Sequence, residues 1–404
     1  MRRLVLAAAG AMAVAAAAAC SGGERERPAQ PGGAATTETP AAARPLAVLA
    51  VQTGHEDTPG RSYPLLEVVS FDAVTGEEAA RFEAGGRDDF LTPGMVFLAG
   101  REVVTVGEGR VARRALDGRE LGVLVDWRED QRPTSAALSH DGRLLAVGWE
   151  DAGLRDRENG GLIVVEVATG RVVREWGMDV FGPAVGAWPA PAGWHADDRG
   201  LEVFGFAHRG GPGVYAAVRL DGSVARRGPV VAGIEPGGRL IATAPGGWTW
   251  ACMGIAMAAR ELVFADPVSG REAGRAALDG FALSPLRFAP GADAVLIEAY
   301  PVRPAPAGGG ECYAWQAGPE VYLFTFASGK LERVRDPGAV AAAWNDPALP
   351  VIVCASAAAE AGPWAEVRDP RWPVFCEGGA EVRLGGKVAL RAEQLRVLGI
   401  APGN

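Results

Sequence analysis

Four histidines among 404 residues leave little material for imidazole chemistry. None has a partner at the spacing that zinc ligands use. The chain also lacks a G-x-S-x-G elbow, a G-x-x-x-x-G-K-[ST] phosphate loop and an H-E-x-x-H pair. These absences argue against an α/β-hydrolase, a P-loop nucleotide enzyme and a zinc protease of the common kinds. A Ser-His-Asp triad needs no local signature, so hydrolysis in general survives them. Basic charge is in deficit: 40 Lys and Arg face 49 Asp and Glu, for a net charge of −9. An acidic surface without a basic stripe repels phosphate, so no nucleic-acid partner is expected. After the first twenty residues no apolar run reaches the length of a membrane span.

What the chain has instead is turns. Glycine is frequent at 56 residues and proline reaches 29. Without a strict period, that abundance points to many short strands. The Gly turns recur in one form: "DAVTG" ending at Gly76, "EVATG" at Gly170, "DPVSG" at Gly270 and "FASG" at Gly329. "RALDG" at Gly118, "VRLDG" at Gly222 and the looser "RLGG" at Gly386 extend the series. A tight hairpin needs a residue at positive φ, which Gly supplies without a Cβ clash. Asp, Thr or Ser beside it hydrogen-bonds the turn backbone. The turns recur about every 52 residues from Gly76 to Gly386. Residues 46–400 therefore hold about seven units, each the size of a four-stranded propeller blade.

A second turn lies upstream in each unit. It is seen in "FLAGREVVTV", "LSHDGRLLAVGW", "WHADDRGLEVFGF", "IEPGGRLIATA", "FAPGADAVLIEA" and "WNDPALPVIVCA". Each reads as an inner strand a, a turn and an apolar strand b. A longer loop, strand c, the Gly turn and strand d complete the unit. The chain opens with "PLAVLAVQTG", a b strand with no a strand before it, and ends with "LRVLGIAPGN", an a strand with no b strand after it. The expected fold is therefore all-β, a seven-bladed propeller whose C-terminal strand pairs with the N-terminal blade and removes the open edges.

These units resemble bacterial WD40-like and TolB-like β-propellers over residues 46–400, on the strength of "SHDGRLLAVGW" and "VATGRVVREW". "FDAVTGEEAARF" also resembles the repeats of quinoprotein-type and YVTN-type propellers. No Trp-Asp pair closes strand c, and no Gly-His pair opens a blade. Only Trp176 stands near the tryptophan that quinoprotein repeats place after their turns, and no adjacent cysteines are present, so no pyrroloquinoline or other cofactor is expected.

The first residues set the compartment. Arg2 and Arg3 precede the apolar run from Leu4 to Ala19, which ends at "AAACSGG". This resembles the lipobox of bacterial lipoproteins, with Ala17 where that family usually has Leu. The resemblance implies a signal peptide over 1–20, lipid on Cys20 and an anchor outside the cytoplasmic membrane. Residues 21–45 carry no apolar periodicity and read as a tether; residues 46–404 form the propeller domain. With Cys20 set aside, four cysteines remain: Cys252, Cys312, Cys354 and Cys376. An even number in an exported chain suggests two disulfides, with three connectivities open. Cys252 and Cys312 sit at similar heights in consecutive units, which favours Cys252–Cys312, leaving Cys354–Cys376.

The b–c loops are long and share one face, so function is expected there. They carry Trp248, Trp250, Tyr313, Trp315 and Trp364, residue types that anchor interfaces and that also serve to pack long insertions. His140 and His195 fall in a–b turns and are expected to orient them. His55 lies in "HED", an acidic cluster expected to be solvated rather than a metal site. The expected function is a non-catalytic envelope module holding a protein, peptide or glycan. The alternative is a propeller hydrolase, lactonase-like or glycan-cleaving, with its site in the central channel.

Overall fold

The computed structural model describes residues 44–58, 61–84, 93–151, 160–181, 187–207, 214–227, 231–246, 248–250, 257–304, 311–313, 319–344, 351–354, 366–367, 374–384 and 387–402. They form antiparallel sheets of the meander kind. Four are plain four-stranded units. β1 (Leu46–Thr58), β2 (Arg61–Asp72) and β3 (Glu78–Glu83) come first in the chain. The second unit is β4 (Val96–Ala99), β5 (Glu102–Val106), β6 (Arg110–Ala115) and β7 (Glu120–Asp126). The third is β8 (Gln131–Leu138), β9 (Leu144–Asp151), β10 (Gly160–Glu166) and β11 (Val172–Gly177). The fourth is β12 (Ala187–Trp194), β13 (Gly200–Ala207), β14 (Val214–Arg219) and β15 (Val224–Arg227).

Insertions enter from the fifth unit onward. β16 (Val231–Ile234) and β17 (Ile241–Thr243) are its a and b strands. Before its c and d strands stand β18 (Trp248–Trp250) and β19 (Met257–Ala259). β20 (Glu261–Ala265) and β21 (Glu272–Ala277) then complete the sheet. The sixth unit is β22 (Phe281–Phe288), β23 (Ala294–Pro304), β25 (Glu320–Thr325) and β26 (Lys330–Arg333), with β24 (Glu311–Tyr313) paired to the far end of β23. The chain closes with β27 (Val351–Cys354), β28 (Glu366–Val367), β29 (Val374–Leu384) and β30 (Lys387–Ala401).

The b strands are apolar on both faces because a neighbouring sheet covers each side. In β9, Leu145, Ala146 and Val147 have no exposed surface. The buried clusters accordingly bridge consecutive units. Phe97, Val104 and Val111 of the second pack with Leu145, Val147 and Val165 of the third. Leu162, Val164 and Trp176 of the third pack with Trp194, Leu201 and Val218 of the fourth. Antiparallel sheets stacked face to face in chain order, most of them four-stranded, are the construction of a β-propeller.

β30 stands between β29 and β1 in one seven-stranded sheet. Its first half pairs with β29, as Glu381 opposite Arg391 and Val382 opposite Leu390. Its second half pairs with β1, from Gln394 opposite Gln52 to Ala401 opposite Leu46. Leu395 and Val397 join Leu49, Val51 and Phe71 in one buried cluster.

Two expected details differ. The segment before Trp344 was expected to be an inner strand; it is α1 (Pro337–Ala343), the one α-helix among the described residues. Asp336 accepts the Ala339 amide at 2.9 Å as an N-cap, Pro337 takes the first helical position, and alanine does the rest. The expected loop over 55–64 is instead a two-stranded arm. β1 and β2 stay paired out to Thr58 opposite Arg61, so His55 stands in a strand.

Arginine carries much of the contact between units. Arg113 donates to the Val167 and Ala168 carbonyls of the next sheet, and Arg174 to the Leu220 carbonyl from two nitrogens at 3.2 and 3.0 Å. Arg287 reaches the Ala341 carbonyl of α1 at 2.9 Å. The planar guanidinium can hold several carbonyls at once, which an ammonium does less well.

Candidate functional site

The a–b turns share one geometry. In the third to sixth units the same turn position has positive φ: Gly142, Asp198, Gly238 and Ala292. The amide of each donates to the carbonyl three residues before it: Ser139, His195, Glu235 and Ala289. Gly fits this conformation without strain, whereas Asp198 and Ala292 hold it with a side chain attached.

The carboxylate of Asp198 explains its presence there. It accepts the backbone amides of His140 at 2.9 Å and Asp141 at 3.1 Å, from the neighbouring turn. The His140 ring reaches Asp198 Oδ1 at 2.7 Å through Nδ1 and the Pro236 carbonyl at 3.0 Å through Nε2. One imidazole thus ties the turns of the third, fourth and fifth units. His195 acts within its own unit. It is buried with Glu202, Nε2 to Oε1 at 2.9 Å, and neither side chain is more than 2% exposed. Glu235, fully buried, takes Arg239 at 3.0 Å, and Arg239 continues to the Pro290 and Gly291 carbonyls of the sixth unit. The expectation that His140 and His195 orient turns matches these contacts.

Beside these turns is a cavity of about 920 Å³. Its wall is formed by inner strands β4, β8, β12, β16 and β30 and is mainly small and apolar, with Ala136, Ala190, Ala192, Ala232, Ile234 and Leu398. This volume lies in the range of small-molecule sites. Two lining residues stand apart from the rest. Arg396 of β30 donates from Nη1 to the Gly94 carbonyl at 3.0 Å and the Val96 carbonyl at 3.2 Å, and lies over the Phe97 ring at 4.8 Å. No carboxylate among the described residues pairs with it, and its buried Nε has no hydrogen-bond partner. Burial pushes its guanidinium down to about 10, which leaves it charged at neutral pH. Ser135 of β8 likewise has a buried Oγ without a partner. Nothing in "TSAAL" or "LRVLGI" marks these two in the sequence.

The residues expected to form a binding surface lie elsewhere. β18 carries Trp248 and Trp250, and β24 carries Tyr313 beside the buried Cys312. The β18–β19 hairpin leaves the fifth unit and pairs with the inner strand of the sixth, Ala259 opposite Leu283, and β18 packs beside β24. The elements bearing Trp248, Trp250 and Tyr313 are therefore neighbours. Cys354 and Cys376 stand in β27 and β29. Cys20, Cys252, His208, Trp315 and Trp364, with the whole of 1–43, lie outside the described residues. Among the described residues no three His, Cys, Asp or Glu side chains converge to hold a metal ion, and no helix is long and apolar enough to cross a membrane.

No protein-family model matches the chain, and no curated protein matches it. Solved structures are similar at low identity. Oligogalacturonate lyase in complex with manganese is 13% identical over 89% of this chain and 98% of its own, with a TM-score of 0.39. The Cps50 (Swd1) β-propeller domain of Myceliophteria thermophila is 11% identical over 60% of this chain and 86% of its own, at 0.34. Kuenenia stuttgartiensis hydrazine synthase is 17% identical over 58% of this chain, at 0.35; the chain spans 63% of its length. These overlaps are too loose to carry an activity to this chain. The propeller assignment rests on its own sheets and their stacking.

Proposed function

We propose that the chain is a seven-bladed propeller closed through β30, held outside the cytoplasmic membrane by lipid on Cys20. It acts as a non-catalytic module that binds a protein, peptide or glycan of the cell envelope. The observation that carries this reading is the arm between the fifth and sixth units. A Trp-Thr-Trp strand, β18, crosses to the next sheet and lies beside β24 with Tyr313. Aromatic residues on a paired, rigid arm offer large contact area at little entropic cost. A disulfide from Cys252, in the β18–β19 connection, to Cys312 in β24 would fix the two hairpins together, and Cys354–Cys376 would do the same in the last unit. Trp315 and Trp364 extend the same surface in this reading.

The hydrolase alternative draws less support. The acids and histidines described around the channel are engaged in turns: Asp198 with His140, Glu235 with Arg239, Asp141 with Ser139. The test is capture from solubilised envelope by the full-length protein, beside a Trp250→Ala/Trp315→Ala version of equal thermal stability. A partner taken by the first and lost by the second is the expected result. Equal capture by both would remove the arm from the function, and no capture by either would return the channel hydrolase to first place. Mass spectrometry of the exported protein should find diacylglycerol on an N-terminal Cys20; any other N-terminus would overturn the anchor.

A further inference from the structure

We infer that the channel cavity is a second binding site, one that takes a small monocarboxylate with an apolar body, with Arg396 as its charge anchor. This stands on the inner strands and is independent of the arm. Three observations carry it. Arg396 pairs with no carboxylate among the described residues, while Arg239, which also bridges units, has the buried Glu235 as counter-charge. A guanidinium needed only to hold Gly94 and Val96 would be better stabilised with an acid beside it, since an unpaired charge in a protein wall is costly. A carboxylate in the cavity supplies that charge and can accept two guanidinium N–H groups in parallel.

Ser135 adds a second donor. Its Oγ is buried without a partner, a cost that a turn of the side chain toward a ligand in the cavity would relieve. The remainder of the wall sets the class of ligand. Phe97, Ala136, Ala190, Ala192, Ile234 and Leu398 offer apolar surface and no free cation. Asp141 and Glu235 line the same cavity, so a second negative charge on the ligand is repelled. Monocarboxylates with an aliphatic or aromatic body fit this pattern; phosphates and dicarboxylates do not.

Calorimetric titration of the full-length protein with hexanoate and benzoate, against hexanamide and benzamide, reads the claim. The acids should bind at least tenfold more tightly than the amides, because only they complete the Arg396 charge. Ser135→Ala should weaken the acids severalfold, and Ala192→Phe, which puts a ring into the cavity and leaves the Arg396 contacts intact, should weaken their binding at least tenfold. Arg396→Gln should remove the preference for acid over amide. Equal affinity for acid and amide, no binding of either acid, or unchanged binding by Ala192→Phe would each overturn the site. An Arg396→Gln protein that is less stable yet keeps the preference would show that Arg396 only joins β30 to β4. If that variant does not fold, the acid–amide ratio of the wild type and of Ser135→Ala decides.

Discussion

The inner and outer turns of the blades solve one problem with the same residue and differ in their neighbours. Both reverse the chain at a residue of positive φ. The outer, c–d turns are closed by their own residues, and those at Gly270 and Gly329 also stand clear of the neighbouring sheets, whereas those at Gly118, Gly170 and Gly222 touch them. Asp72 Oδ1 accepts the amides of Val74 and Thr75 at 2.8 Å, and Asp266 does the same for Val268 and Ser269. A Cβ on Gly270 or Gly329 would meet nothing within 4 Å. The inner, a–b turns of the third to fifth units are locked into the adjacent unit, while that of the second, at Gly100, is open. A Cβ on Gly238 would lie 2.2 Å from the Trp194 carbonyl oxygen. His140, Asp198 and Arg239 all bond across units. Local chemistry suffices for the outer turns at Gly270 and Gly329; the inner turns at Asp198 and Gly238 are part of the contact between sheets.

That contrast sets the order of expected losses. Gly238→Ala should cost about 3 kcal/mol or more in urea unfolding, because left-handed strain adds to a backbone collision that cannot relax. Glu202→Ala, which strips a buried carboxylate from His195, should cost roughly 3 kcal/mol by the same measure. Gly270→Ala, at an equally positive φ but in open space, should cost only about 1 kcal/mol. Arg174→Lys, which loses the forked contact to Leu220 but keeps the charge, should cost about 1 kcal/mol or less. If Gly238 and Gly270 proved equally tolerant of alanine, the distinction between locked and free turns would be lost.

Acid sharpens the same comparison. The Thr75 amide above all holds the Asp72 carboxyl below its ordinary value of 3.8, and the Ser269 amide does so for Asp266. Their folded values are depressed, so their contribution is present above about pH 3.8 and lost as pH falls through those values. Glu298 in β23 runs the other way. Burial raises its carboxyl above 4.5, against the opposing hydrogen bond from Tyr300 at 2.6 Å. Its contribution is present below pH 4.5 and lost as pH rises through the folded value. Stability of Glu298→Gln against pH should therefore lack that loss, while the acid limb set by the outer turns stays. An unchanged profile above pH 4.5 would show that Glu298 does not contribute.

The turns were legible because their glycines are dictated locally. Gly76, Gly118, Gly170, Gly222, Gly270 and Gly329 all take positive φ where the repeated motifs place them; Gly386 lies outside the described residues. The four-stranded order followed from them. The arms were read as loops because "HEDT" and "RPAP" carry no apolar alternation, and a hairpin that leaves the sheet needs none. The helix of "DPGAVAAA" had readable signals, an Asp cap, a Pro and an alanine run, which the expected blade pattern overrode. Arginine between units left a mark in composition: 38 Arg stand against two Lys. Arg396 and Ser135 have no such mark, because a position in the cavity wall is defined by five strands at once.

The proposed closure depends on β30 standing between β29 and β1. Amide hydrogen exchange of the full-length protein, compared with a chain ending at residue 393, tests that junction directly. Leu46–Gln52 should be protected in the full chain, and deletion should strip that protection and lower the unfolding midpoint. If Leu46–Gln52 exchanged at the same slow rate without residues 394–404, β30 would not be what holds β1, and the ring closure proposed through it would be wrong.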